Sequence, residues 1–94
     1  MSEFGRRLKS NRSGGTDHGY GGLTLVLGGN IHGGKMYGKW PGLANHQLDK
    51  SVDLNITTDY RAILSEIMTQ RLGANQYISD IFPNFELKNK LGFC

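Results

Sequence analysis

Gly14-Gly15-Thr16-Asp17-His18-Gly19-Tyr20-Gly21-Gly22 runs directly into Leu23-Thr24-Leu25-Val26-Leu27. A carboxylate and an imidazole therefore stand side by side on a glycine-rich loop that enters an apolar run. Ten of the fourteen glycines fall between Gly14 and Gly38, where the missing Cβ opens positive φ angles and close backbone approach. An Asp-His pair on such a backbone suits two roles. It can bind a metal or position a phosphate-like group, or it can cap a tight turn, for which Asp and Gly are ordinary residues. Taken by itself the pair reads first as a turn. The run at 23–27 is continuous, contains β-branched Thr24 and Val26 and is bounded by glycine pairs, which predicts a buried strand.

Upstream, the segment to Tyr20 is polar, basic and turn-rich, and is read as extended chain or loop, with Asn11-Arg12-Ser13-Gly14-Gly15 as its strongest loop signal. Downstream, Gly28-Gly29-Asn30 ends the apolar run, and Lys35-Met36-Tyr37 is expected as a short second strand that pairs with it, Ile31 and His32 lying near the bend. Lys39-Trp40-Pro41-Gly42-Leu43 reads as a turn, with Trp40 as a packing anchor. His46 is expected on the surface. Val52, Leu54 and Ile56 alternate with Asp53 and Asn55, which predicts a half-exposed strand.

Thr57-Thr58-Asp59 opens the main helix, because a threonine can cap a backbone N–H and an acid favours the positive end of the helix dipole. Tyr60, Ile63, Leu64, Ile67, Met68 and Leu72 recur at three- and four-residue intervals, so they form the core stripe, with Arg61, Glu66 and Gln70 assigned elsewhere. Gly73 is the expected stop. A short helical turn is expected over 76–81, ending before Pro83. Phe82, Phe85, Leu87 and Phe93 then form a tail that needs a surface to cover.

The whole chain, 94 residues, suits one small domain: a basic glycine-rich arm and loop (1–20), short strands and turns (21–56), the main helix (57–73) and a C-terminal tail (74–94). The first twelve residues carry the entire net charge of +3, and the rest cancel. That arm holds one aromatic, Phe4, and no reader motif, which argues for a solvated arm and against a nucleic-acid partner. A single cysteine, Cys94, forms no internal disulfide. His18, His32 and His46 lack zinc-finger or His-Glu-x-x-His spacing. Neither a membrane-length apolar run nor a signal-peptide pattern is found, so the expectation for the chain as written is a cytoplasmic protein with no membrane partner.

Ser2-Glu3-Phe4-Gly5-Arg6, Gly15-Thr16-Asp17-His18-Gly19, Val26-Leu27-Gly28-Gly29, Gly33-Gly34-Lys35, Tyr37-Gly38, Trp40-Pro41-Gly42-Leu43 and Thr57-Thr58-Asp59-Tyr60-Arg61 follow one another in an order and spacing that resemble the C-terminal portion of a bacterial family, domain of unknown function 1501, related in fold to sulfatases and alkaline phosphatases. Ile81-Phe82-Pro83-Asn84-Phe85 and Leu91-Gly92 resemble its usual ending. The resemblance implies a small α/β fragment of a doubly wound sheet, with a few short strands and one main helix. Its long relatives are mostly exported.

By the same resemblance, the superfamily's nucleophile and most metal ligands come from upstream sequence, so no catalytic residue is expected here. The Glu3 word resembles one that supplies metal ligands in related phosphodiesterases, with Phe4 in the histidine's place. The Asp17-His18-Gly19-Tyr20 word resembles a later ligand segment. His18, Asp17 and Glu3 are the implied metal residues, for a weakly held zinc, manganese or calcium. Arg6 is the candidate for a phosphate or sulfate oxygen, which guanidinium geometry suits, with a surface ion pair as the equal reading.

Two functional classes follow. One is a non-catalytic structural or interaction protein, a remnant of a hydrolase-like fold that self-associates. The other is part of a metal-dependent phosphate or sulfate ester hydrolase, completed by an upstream chain of the same family or by further copies.

Overall fold

The computed structural model describes residues 1–2, 4–87 and 90–94, and its first ordered feature follows from Asn11. The Asn11 Oδ1 accepts the N–H groups of Ser13 and Gly15, and the Asn11 N–H reaches the Gly15 carbonyl at 2.7 Å. This Asx-type turn folds strand β1 (Arg6–Ser10) back on β2 (Thr16–His18) as an antiparallel pair. Arg6 stands opposite His18 and Ser10 opposite Thr16, so residues 7–9 of β1 face Asp17 alone and the ladder is irregular. The stretch 1–20, expected as extended chain or loop, is thus a hairpin within those bounds, its turn at Asn11–Gly15. The turn signal was sound, but β1 carries one apolar residue, Leu8, and its charges hide the strand.

The described residues hold both helix and strand, as a small α/β chain does, and they form two compact units. The first comprises Met1–Val26 and Lys39–Thr57. Leu8 donates its N–H to the Val52 carbonyl at 3.2 Å, which joins the hairpin to a turn in which Lys50 and Ser51 both take positive φ and Asp49 bridges to Asp53. Leu48 is the buried apolar residue of this unit.

Three expectations fail here. Residues 23–27 form no strand: Leu23, Leu25 and Leu27 are 72%, 72% and 90% exposed on chain without regular secondary structure, because nothing in the described structure offers them a partner edge. Trp40 is exposed and anchors no packing. Around the Asp49–Asp53 bridge the expected polarity is inverted, with Asp53 buried and Ile56 exposed; the bridge turns the acid inward and leaves no strand over 52–56.

The second unit comprises Leu27–Gly38 and Thr58–Cys94. Helix α1 (Tyr60–Arg71) starts at Asp59, whose carboxylate accepts the Arg61 N–H at 2.9 Å, so the acid and not a threonine is the cap. Leu72 and Gly73 end it, with the Ala74 N–H turned back to the Met68 carbonyl. A 3-10 turn over Asn75–Tyr77 then leads into α2 (Ile78–Ile81), as expected for that stretch.

The tail is not free. Phe82 packs edge-on against Tyr60 and Phe85, and the Arg61 guanidinium lies 4.6 Å from the Phe85 ring centre. Phe93 is buried against Tyr37. Residues 35–37, expected as a strand, instead belong to a loop whose Tyr37 hydroxyl donates to the His32 carbonyl at 2.6 Å.

The stripe on α1 is half-buried at Ile63, Leu64, Ile67 and Met68 and exposed at Tyr60 and Leu72. The deepest side chains are Ser65 and Glu66, neither of them part of the apolar stripe. No described helix is long and apolar enough to cross a membrane.

Candidate functional site

The β1–β2 hairpin gathers Arg6, Arg7, Asn11, Thr16, Asp17 and His18 around one open cleft of about 460 Å³. Alternation along an ideal strand sends neighbouring side chains to opposite faces, yet here the irregular ladder lets Asp17 and His18 border the same cleft. Asn11 orders the acid by donating from Nδ2 to Asp17 Oδ1 at 3.1 Å. Arg6 donates from Nη1 to the Thr16 carbonyl at 2.7 Å, which fixes the guanidinium beside the turn and leaves its other N–H groups for an anion. His18 is exposed.

Three of the four sequence-derived site residues, Arg6, Asp17 and His18, therefore come together in one place. Glu3 lies outside the described residues. Phe4, beside it in sequence, is exposed. Among the described residues no three His, Cys, Asp or Glu side chains gather into a ligand cluster. The hairpin offers an ion one carboxylate and one imidazole, a mixed O,N set suited to zinc or manganese, with the remaining positions open to water or further donors. Such a pair fits part of a metal site. His46 borders a second open cleft of about 500 Å³ with Trp40 and Ile56, and it is exposed as expected.

Two buried acids, one in each unit, organise the chain around them. In the first unit Asp53 is 7% exposed. Its Oδ1 accepts the Tyr20 N–H at 3.4 Å, and Oδ2 lies 3.7 Å from Arg7 Nε. A Cβ on Gly19 would overlap Asp53 Oδ1 and the Arg7 backbone nitrogen, so glycine is what lets the acid reach the end of β2. Arg7 both lines the cleft and faces Asp53.

In the second unit Glu66 is 1% exposed. Its oxygens accept the N–H groups of Leu91, Gly92 and Cys94. The same strip of chain is held from its other side, for the His32 N–H donates to the Phe93 carbonyl at 2.8 Å and His32 Nδ1 lies 3.0 Å from the Gly92 carbonyl. His32 is exposed, as expected, but it is fixed in place. Neither acid had a local signal. Asp53 sits in an alternating pattern that puts it outside, and Glu66 lies off the apolar stripe.

The chain matches the family described as protein of unknown function (DUF1501) over residues 1–78. That span contains both β-strands, the cleft residues and helix α1, and it stops short of the Ile81-Phe82-Pro83-Asn84-Phe85 and Leu91-Gly92 words. No curated protein and no solved structure gives a significant match. With most of its length, the candidate cleft included, inside that match, the chain belongs to the DUF1501 family of proteins of unknown function.

Proposed function

We propose that this chain is a non-catalytic interaction module of a hydrolase-like fold and that it self-associates. The observation that carries the reading is the exposed leucine face of the apolar segment at 23–27, with Leu23, Leu25 and Leu27 at 72%, 72% and 90% exposure. Among the described residues, none of the backbone groups over 22–28 finds a backbone hydrogen-bond partner. An exposed apolar strand with open N–H and C=O groups is a template for another strand. In a doubly wound sheet of the sulfatase or alkaline-phosphatase type, such a run would lie within the sheet; here another copy supplies the cover, and an upstream chain of the family is the other candidate partner.

The test is sedimentation velocity on the native chain and on a triple variant, Leu23→Glu, Leu25→Glu and Leu27→Glu. The native chain assembles and the variant sediments as a monomer with its helix content unchanged. Equal sedimentation of the two proteins contradicts the reading.

A second reading rests on the hairpin cleft. Arg6, Asp17 and His18 provide an anion donor and two metal donors in one place, which is the beginning of a metal-dependent site for phosphate or sulfate esters. In that setting the ion would polarise the ester oxygen and activate a water, and Asn11 and the Thr16 carbonyl orient the acid and the guanidinium. Turnover of an aryl phosphate or aryl sulfate that depends on divalent metal and on His18 favours this reading over the first.

A further inference from the structure

Apart from an exchange of Thr24 and Val26, the residues around Leu25 read the same in both directions. Gly21-Gly22-Leu23-Thr24-Leu25-Val26-Leu27-Gly28-Gly29 places leucine opposite leucine and glycine opposite glycine when the segment is reversed about Leu25, and it places Thr24 opposite Val26, two β-branched side chains of similar shape. Building on the self-association proposed above, we infer that residues 22–28 of one copy pair antiparallel with the same residues of a second copy, about a two-fold axis through Leu25. A self-complementary patch is what a two-fold contact requires, since each residue meets its counterpart twice.

The fold also selects which edge is used. In an antiparallel strand a residue's N–H and C=O face one edge and its neighbours' groups face the other. Gly21 commits its edge to Arg6, with the Arg6 N–H on the Gly21 carbonyl at 2.8 Å and the Gly21 N–H on the Arg6 carbonyl at 3.0 Å. Over 22–28 no backbone group on either edge has a backbone partner among the described residues, but Arg6 already occupies the Gly21 end of the first edge, so a second strand running the length of 22–28 fits along the edge that carries Gly22, Thr24, Val26 and Gly28. Pairing there makes Thr24 and Val26 of the two copies hydrogen-bonded partners and makes the two Leu25 residues a non-hydrogen-bonded pair, the kind in which Cα atoms come within about 4.5 Å.

Glycines at both ends present no side chain to the incoming backbone, and a Cβ built on Gly22 or Gly29 would meet nothing. The resulting ribbon carries Leu23, Leu25 and Leu27 of both copies on one face. Two such ribbons stacked at about 10 Å close that face, so copies assemble in even numbers.

Cysteine cross-linking tests the register, in a Cys94→Ser background that removes the native thiol and keeps the Cys94 N–H bond to Glu66. Circular dichroism establishes that each variant keeps its helix. Under mild copper-phenanthroline oxidation, Leu25→Cys forms a covalent dimer at least about tenfold faster than Leu23→Cys, because directly opposed Cα atoms fall within disulfide range. The two Leu23 positions are offset by four residues, about 14 Å. A mixture of Leu23→Cys with Leu27→Cys links across chains as Leu25→Cys does.

Light scattering on the native chain separates the two claims. An even-numbered assembly in which Leu23→Cys links to itself as fast as Leu25→Cys overturns this register and leaves self-association standing. A monomer overturns both.

Discussion

Both carboxylate oxygens of Glu66 accept the N–H of Gly92, each at 3.1 Å. Oε1 also takes the Leu91 N–H at 2.6 Å, and Oε2 takes the Cys94 N–H at 3.2 Å. Successive amides that converge on one anion form a nest, and Gly92, at φ 87°, supplies the backbone conformation that curls 91–94 around the acid. A helix side chain thus stands in for the strand or cap that would otherwise satisfy these N–H groups. The burial of Glu66 is compensated because its oxygens receive the hydrogen bonds they would have had in water.

Removing that acceptor detaches the C-terminal strip. Glu66→Ala leaves the N–H groups of Leu91, Gly92 and Cys94 without their acceptor and costs about 1–3 kcal/mol, which is large for so small a unit. Glu66→Gln keeps one acceptor oxygen, turns the other into a donor facing donors, and falls between the two proteins. Urea unfolding gives the order native, Gln, Ala. Hydrogen exchange quickens at Leu91, Gly92 and Cys94 before it quickens in α1. Unchanged exchange at these three amides contradicts the role assigned to Glu66.

The neighbouring Ser65 behaves in the opposite sense. Its hydroxyl is fully buried and has no hydrogen-bond partner among the described residues. Ser65→Ala removes an unsatisfied polar group and improves helix propensity, so stability rises by about 0.5–1 kcal/mol. A thermal melt that shifts downward instead shows that the hydroxyl is satisfied.

At the start of α1 the Asp59 carboxylate accepts from the Arg61 guanidinium at 2.6 Å and from the Arg61 N–H at 2.9 Å. These bonds, the guanidinium's first, hold its carboxyl below the usual carboxylate range. A lowered folded value means that the contribution is complete above the unfolded carboxyl value of about 3.9. It is lost as pH falls through the folded value. Asp59→Asn keeps a cap and removes the acid dependence, whereas Asp59→Ala loses about 1 kcal/mol at neutral pH. Helix content followed by circular dichroism between pH 5 and 2, the range bracketing an ordinary carboxyl, separates the three proteins.

Gly19 is predicted to tolerate no side chain. Alanine there drives a methyl group into Asp53 Oδ1 and the β1 backbone at Arg7, and overpacking of this kind costs about 1–3 kcal/mol. Gly22→Ala, in open space, is the control for the folding of the first unit. Amide chemical shifts of Leu8 and Tyr20 move in the Gly19 variant and stay in the control.

His18 and Asp17 are predicted to retain a weak affinity for zinc or manganese. Two protein donors leave most positions of the ion to water. Calorimetry on the native chain and on His18→Ala decides the matter: the heat is present in the first and absent in the second, and equal heats return the pair to a turn-forming role.

The elements that were legible in the sequence are those fixed by local chemistry. Gly73 stops α1, Asp59 stands before its first turn, and the 75–81 stretch forms the expected short helix. Asn11 and the two glycines after it mark a turn, although the strands it joins are disguised by charge. What was not legible depends on residues distant in sequence. Asp53 turns inward because Gly19, Tyr20 and Arg7 meet it, and Glu66 does so because 91–94 folds over it.

The apolar run at 23–27 reads by its composition as buried, yet among the described residues Thr24 and Val26 are half-buried and the three leucines stay uncovered. Of the candidate site, the juxtaposition of Arg6 with Asp17 and His18 comes from the hairpin, which no periodicity in 1–20 announced.

That uncovered run is where the account is most exposed to contradiction, and multi-angle light scattering on the native chain across a micromolar concentration series tests it most directly. The account predicts an assembly of two or four copies that dissociates only on dilution. A folded single-chain mass at every concentration, with α1 intact by circular dichroism, contradicts it.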